Sequence, residues 1–419
     1  MQDKNEHIAH LIRSLRKEGP SVFLESQKKD HPASTTSYVA GKPKAWIKSV
    51  GNEVVVWDGR VRQSHAINPW KALDEFMNKH QDWVFGYLGY DLKNYVEDLD
   101  SCNPSKTSAP DMFFMIPGFL AEISKDDELK ILRGYLPEYD ESSGLTTEVV
   151  ITSRNRIQKD DYLDKIKRVQ KSITEGDFYE VNLSHALEFE FKGDPFELYS
   201  KMKAFGPVPF ASYVEVDGIS ICCSSPERFL SRKGNKVWSQ PIKGTWSRKG
   251  GSSDQSAELL FQSEKNRAEN LMIVDLVRND LSRIAKKGSV AVKNLFEIQS
   301  FETVHQMVST VECEVKKNTN SIEIIKVCFP MGSMTGAPKI SAMKAIEKME
   351  NYKRGIYSGA IGYITPEQDF DFNVVIRTAI IEGEKLVYPV GGAITSDSIP
   401  EEEWEETLVK ARALISAVH

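Results

Sequence analysis

Residues 210–223 read FASYVEVDGISICC. Phe210–Val216 and Ile219–Cys223 are dense in β-branched and aromatic residues, so each is expected as a strand. Only Asp217 and Gly218 separate them, with no helix between. Outward from this pair, strands and helices come in clusters. A helix over Lys159–Glu175 carries Tyr162, Ile166, Val169 and Ile173 at helical spacing, and a strand follows at Glu180–Glu190. Further helices are expected over Ser263–Ile284, Ser321–Cys328 and Pro400–Val418. Further strands are expected at Gly359–Ile364, Asp371–Ile381 and Lys385–Val390. Such clustering, without strict βαβ alternation, makes the class α+β with largely antiparallel sheets.

Upstream, residues 1–150 read as a strand-rich subdomain, with segments such as Ala45–Val50, Glu53–Trp57 and Trp83–Leu88. The motif FGYLGYD sets small residues beside Tyr87 and Tyr90, as where sheets pack closely. Ser101–Pro110 is a polar, proline-punctuated loop, and Glu138–Glu148 is expected to link this region to residues 151–419. The 419 residues suffice for one large domain or two fused ones. A net charge of −6 gives no reason to expect nucleic acid or an anionic membrane as partner. Five cysteines without a CxxC pair or zinc spacing fit reduced thiols. The charged stretch MQDKNEHIAHLIRSLRKEG lacks a secretory apolar core, and no run of eighteen apolar residues occurs, so a cytoplasmic protein is expected.

Chemistry-bearing residues gather in the second region. In the last helix, Ser398 and Glu401 read as a capping box, Pro400 suits the first turn, and Trp404, Leu408, Ala411 and Ile415 form an apolar stripe. Glu403, Glu406 and Lys410 fall on one face, where two carboxylates can hold a hard cation. The bland alternative is a solvated face whose Glu406–Lys410 pair contributes roughly 0.3–0.5 kcal/mol. Glu269 shares its helix face with Met272, Ile273 and Leu276, so its carboxylate needs a partner, either a metal or Arg267 or Arg278. Glu227, in SPERFL just after a strand, is placed to act as a general acid or to form an ordinary ion pair. Lys243 stands among small and apolar neighbours in PIKGT, where burial lowers an amine's pKa and makes it nucleophilic; a snorkelling lysine is the alternative. The loop PMGSMTGAPK lacks P-loop spacing and reads as a structural turn feeding a helix from Pro338. Tyr357, Arg377 and a Gly391–Gly392–Ala393 turn offer a hydroxyl, a planar cation and exposed N–H groups to a carboxylate.

Together SPERFL, PIKGT, KNRAENLMIVDLVRNDL, GSMTGAPK, IYSGAIGY and DSIPEEEWEETLVKARA resemble the chorismate-utilising enzymes. That group includes anthranilate synthase component I, aminodeoxychorismate synthase component I, isochorismate synthase and salicylate synthase. The match is dense over about residues 155–419 and thin upstream, through FLES at Phe23–Ser26 and GYLGYD. It implies a single large chorismate-binding domain of mainly antiparallel sheets flanked by helices, like anthranilate synthase component I. By position it implies Mg²⁺ ligation by Glu269 and Glu406, with Glu403 nearby. Chorismate carboxylates would meet Tyr357, Arg377, Lys410 and the Gly391–Ala393 backbone, with Gly244 and Thr245 lining the ring. Glu227 would be the general acid for the departing C4 hydroxyl, and His305 would line the site.

PIKGT, where anthranilate synthases resemble PIAGT, points to the aminodeoxychorismate synthase branch, as does NRAENLMIVDL. The position before VNLS is Glu180, where water-using members carry lysine and aminating members usually glutamine. Asn266 departs from an acidic residue common in relatives. The implied function is Mg²⁺-dependent amination of chorismate to 4-amino-4-deoxychorismate through a covalent Lys243 intermediate, in para-aminobenzoate and folate synthesis. Ammonia would come from a separate glutamine amidotransferase subunit, since no nucleophile-elbow cysteine is present. The rivals are anthranilate synthase component I and a silent subunit that binds tryptophan or a partner.

Overall fold

A computed structural model describes residues 2–27, 36–137, 148–155, 159–248, 255–300 and 304–417. The expected linker over residues 138–148 falls almost wholly outside them. FASYVEVDGISICC forms an antiparallel pair, Phe210–Val216 against Ile219–Ser225, with Val214 opposite Ile221. Asp217 takes φ 51° and Gly218 φ 76°, the left-handed pair that lets a two-residue turn follow the strand twist.

Every pairing between named strands is antiparallel, and all belong to one branched network. The branch point is the long strand Thr36–Val50. Its first half pairs with Ser21–Glu25, which leads through Phe210–Val216, Ile219–Ser225, Thr378–Glu382 and Lys385–Ile394 to Glu180–Lys192. It also pairs with Met112–Ser124, which leads through Val84–Leu88, Ala360–Ile364, Phe370–Asn373, Arg228–Lys233 and Lys236–Gln240 to Val304–Glu314. Both branches pass from residues before 150 to residues after it. The two sequence regions are therefore woven into one sheet. One core cluster joins Trp70, Leu73 and Phe114 to Phe229, Ile273, Val277 and Phe372.

Three local expectations are corrected. The segment Asp371–Ile381, read as one strand, is two, Phe370–Asn373 and Thr378–Glu382, lying in different branches. Between them the chain crosses over, with the Val374 amide donating to the Glu227 carbonyl (3.0 Å), the Val375 amide to that of Gly359 (2.8 Å), and Arg377 at φ 51°. Gly391–Ala393 is not a turn: it continues the strand Lys385–Ile394, opposite Asn182–Ser184. A Cβ on Gly391 would lie 2.5 Å from the Leu183 carbonyl oxygen, so close strand approach, not turn geometry, demands glycine. The last helix runs Pro400–Ser416 without a side-chain cap; Ser398 hydrogen-bonds the Glu403 carboxylate (2.8 Å) instead of closing a capping box with Glu401. Its buried stripe is Glu403, Trp404, Thr407, Ala411 and Leu414, which leaves Ile415 39% exposed.

Candidate active site

Two of the crossings by which the chain passes between the branches lie in contact, joined by the Val374 amide and the Glu227 carbonyl. Ser225–Pro226–Glu227 carries the chain from Ile219–Ser225 to Arg228–Lys233, and Val374–Arg377 carries it back. Beside these crossings lies a cavity of about 660 Å³, within the range of small-molecule sites. Glu227, Lys243, Gly244, Thr245, Glu269, Tyr357, Arg377, Gly391, Ala393, Glu403, Glu406 and Lys410 all line it. The branched sheet thus gathers, among these residues, side chains 183 positions apart in sequence, Glu227 and Lys410.

Glu227 is buried, and its amide donates to Ser225 Oγ (3.2 Å). Burial lifts its carboxyl to about 7, against pull from the Ser333 hydroxyl and from the Lys243 charge. A carboxyl near 7 is half protonated at neutral pH, so it can deliver a proton to a leaving group.

Lys243 lies on the strand Ile242–Ser247 beside a bulge, where Gly244 takes φ 88° and shifts the register against Val304–Glu314. Its Nζ donates to Glu180 Oε1 at 2.7 Å, and both side chains are at least 90% buried. The expected fall in lysine pKa is not found. Burial does lower it, but the charges of Glu180, Glu269 and Glu227 more than offset that effect, and the net direction is upward. Lys243 therefore rests as an ammonium, and becoming a nucleophile requires a place for its proton.

Glu269 sits on the helix Glu264–Ser282, which Ser263 Oγ caps by accepting from the Asn266 amide (3.4 Å). Neither arginine considered from sequence meets it. Arg278 pairs with Asp275, and Arg267 stacks over Phe261 and Phe296. Burial raises the Glu269 carboxyl, and Glu180 and Glu403 push the same way. Glu403 is raised by burial and by Glu406, while Lys410, 2.6 Å from Glu406, holds that carboxyl low. Lys410 also donates to the Gly391 carbonyl (2.8 Å), which fastens helix to strand. Among the described residues no three His, Cys, Asp or Glu side chains close into a ready metal cage. Three carboxylates on one open cavity, with Glu403 acting against Glu269 and Glu406 against Glu403, still suit Mg²⁺, which takes few protein oxygens and completes its shell with water and substrate.

Tyr357 is buried and Arg377 half-buried in the wall, with Arg377 close enough to Tyr388 and Glu227 to feel their charges. Two sequence candidates are not among the lining residues. On the strand Val304–Glu314, Val304 and Gln306 face the cavity, so alternation turns His305 away, and its Nδ1 meets Ser300 Oγ (2.8 Å). Gly392 is likewise not a lining residue; a Cβ there would come within 3.4 Å of Glu403 Oε2.

Other lining residues carried no sequence signal of their own: Asn182, Lys265, Gln306, Ser333 and Met334. The loop GSMTGAPK, read as structural, supplies two of them. Behind the wall Arg354 is fully buried and donates to both Glu350 oxygens (2.9 and 2.6 Å), the Met334 carbonyl (2.7 Å) and the Asn182 carbonyl (2.7 Å). Glu350 in turn accepts from the Ser184 amide (2.8 Å), so one ion pair locks the strand that carries Glu180 and Asn182.

Residues 19–416 match the family described as chorismate binding enzyme. The chain is 37% identical over 368 residues to the chloroplastic aminodeoxychorismate synthase of Arabidopsis thaliana, covering 80% of this chain but only 40% of that longer one. It is 31% identical over 409 residues to aminodeoxychorismate synthase component 1 of Bacillus subtilis, covering 91% of this chain and 87% of the relative. The crystal structure of anthranilate synthase component I from Streptococcus pneumoniae superposes with a TM-score of 0.80 at 26% identity, over 92% of this chain and 93% of that one. With nearly its whole length matched, the chain belongs to the family of chorismate-binding enzymes.

Proposed function

We propose that this protein aminates chorismate to 4-amino-4-deoxychorismate, using ammonia and Lys243 as a covalent nucleophile. The observation that carries this reading is a buried lysine and a carboxyl near 7, Lys243 and Glu227, on the wall of one cavity. Arg377, Tyr357 and Lys410 offer donors to the two substrate carboxylates and so fix the ring between those groups. Glu269 and Glu406, with Glu403 nearby, would hold Mg²⁺, which supplies charge neutralisation and polarises the ring carboxylate when bound.

Lys243 Nζ forms a bond to C2 as the ring double bonds shift and the C4–O bond breaks. Glu227 gives its proton to the departing hydroxyl, which leaves as water. Ammonia then forms the C4–N bond, the double bonds shift back, and the C2–N bond breaks to release Lys243. Glu227 recovers a proton from the new ammonium group. Two displacements replace one difficult substitution. The chain takes its ammonia from a separate glutamine amidotransferase subunit, a reading supported by the component 1 name of the Bacillus subtilis relative. No helix among the described residues is long and apolar enough to cross a membrane, and we place the reaction in the cytoplasm.

Product identification tests the reading. Purified protein with chorismate, Mg²⁺ and ammonium should give 4-amino-4-deoxychorismate by mass spectrometry. Fluorescent anthranilate as the product would instead assign the tryptophan-pathway reaction.

A further inference from the structure

The proposed reaction starts from a neutral amine, yet Lys243 rests as an ammonium. Its proton needs an acceptor within reach. Glu227 already delivers a proton and must begin protonated, and Glu269 belongs to the proposed cation site. Glu180 is left. It opens the strand Glu180–Lys192 with 1% of its surface exposed, and its Oε1 accepts from Lys243 Nζ at 2.7 Å. Its second oxygen, Oε2, is buried with no hydrogen-bond partner among the described residues. A buried carboxylate with an unfilled acceptor is an unusual expense in a folded chain, and protonation relieves it. The backbone holds it firmly in place. Glu180 pairs with Ala337, and a Cβ on Gly336 would come 2.1 Å from the Glu180 carbonyl oxygen, so the two segments are in contact.

We propose that Glu180 is the proton acceptor that releases Lys243 as a nucleophile, a role that rests on the covalent reading of Lys243. The Nζ–H bond breaks toward the carboxylate, an O–H bond forms on Glu180, and the freed lone pair attacks C2. When ammonia later expels the lysine as a neutral amine, Glu180 returns the proton and the ion pair is restored. The proton never passes to solvent, and the transfer itself leaves the pair's net charge unchanged. Burial favours this exchange, because a neutral acid and amine lose less on desolvation than two ions do. The charged groups facing Lys243 are Glu180, Glu227 on its crossing segment and Glu269 on the helix Glu264–Ser282; Lys243 in turn is felt by Glu406 on the last helix. Those facing Glu180 are Lys243 and Glu269. The charged groups facing Lys243 are all acidic, so loss of its proton to bulk water is opposed and a contacting acceptor is the open route.

The test follows adduct formation on Lys243 by rapid quench and mass spectrometry, using the full chain with chorismate and Mg²⁺ but no ammonia. The parent enzyme should form the adduct with no rising limb in its pH profile. Glu180→Gln should form it on the order of 100-fold more slowly at pH 7, gaining a rising limb with a slope of about one, because its proton must now go to solvent. Glu180→Asp, which keeps a carboxylate, should recover part of the rate and lose the rising limb. It also decides the matter should the glutamine variant fail to fold, since a rising limb in Glu180→Asp equal to that of free amine titration would overturn the assignment. Adduct formation by Glu180→Gln at the parental rate and profile, or faster, overturns the role of Glu180 alone. Absence of any adduct in the parent overturns the covalent reading and this role with it.

Discussion

Lys243 and Glu180 form a 2.7 Å ion pair, while Glu227, a carboxyl lifted to about 7, lines the same cavity as Lys243. Burial acts on both Glu227 and Lys243, but the outcome differs with the neighbours. Glu227 keeps its upward shift because its neighbours only partly compensate, whereas three carboxylates reverse the downward push on Lys243. Lys243→Ala should abolish the adduct of chorismate less one water and slow amination on the order of 100-fold or more. Lys243→Arg should fail equally, since guanidinium stays protonated and cannot attack carbon. Peptide mapping of the trapped parent enzyme checks both; wild-type rates in Lys243→Ala would refute the covalent route. For Glu227 the sign of the pH effect follows from its direction of shift. The acid is present below about 7 and lost as pH rises through that value, so adduct formation should fall on the alkaline side. Glu227→Gln should remove that falling limb and reduce the rate by roughly 10²–10⁴-fold.

The helix Pro400–Ser416 and the strand Lys385–Ile394 act as a unit. Gly391 lets the strand lie close to Asn182–Ser184, and the Gly391 carbonyl receives the Lys410 ammonium that fastens the helix. Glu403 is buried on the same helix and tied to Ser398, so the carboxylates that face the cavity are set by backbone approach. Gly391→Ala should force the strands apart, because its Cβ would meet the Leu183 carbonyl at 2.5 Å. A loss of about 1–3 kcal/mol is expected, seen as a lower Tm together with a raised KM for chorismate. An unchanged Tm would show that the sheet absorbs the methyl without separating.

The whole molecule is one sheet whose branches both run through the boundary near residue 150. Among the described residues, strands Ser21–Glu25 and Val84–Leu88 find partners outside their own region in Phe210–Val216 and Ala360–Ile364. The cavity sits where those branches exchange chain, so the site and the fold are stabilised together. The proposed reaction takes its ammonia from a separate subunit. The purified chain should use ammonium and leave glutamine untouched until an amidotransferase subunit is added; glutamine-dependent amination by the chain alone would defeat the subunit reading. Steady-state assays with each nitrogen donor decide it.

Local pattern was enough for most elements and for several of the charged residues that line the cavity. Lys159–Glu175 and Ser321–Cys328 fold as helices over the residues that their spacing marks. Apolar periodicity reports a helix or strand face directly, because that face is buried in any fold that accepts it. The same logic placed Lys243, Glu227, Glu269 and the Glu403–Glu406–Lys410 face as groups in need of partners. It could not name those partners. Glu180 lies 63 positions from Lys243, and it turns the expected fall in lysine pKa into a rise. His305 and Gln306 are adjacent in sequence, yet strand pairing sends Gln306 to the cavity and His305 to Ser300. Gly391–Ala393 resembles a turn until a second strand is laid beside it. In each case the deciding term is a contact between distant segments, set by the path of the sheet and absent from any local window.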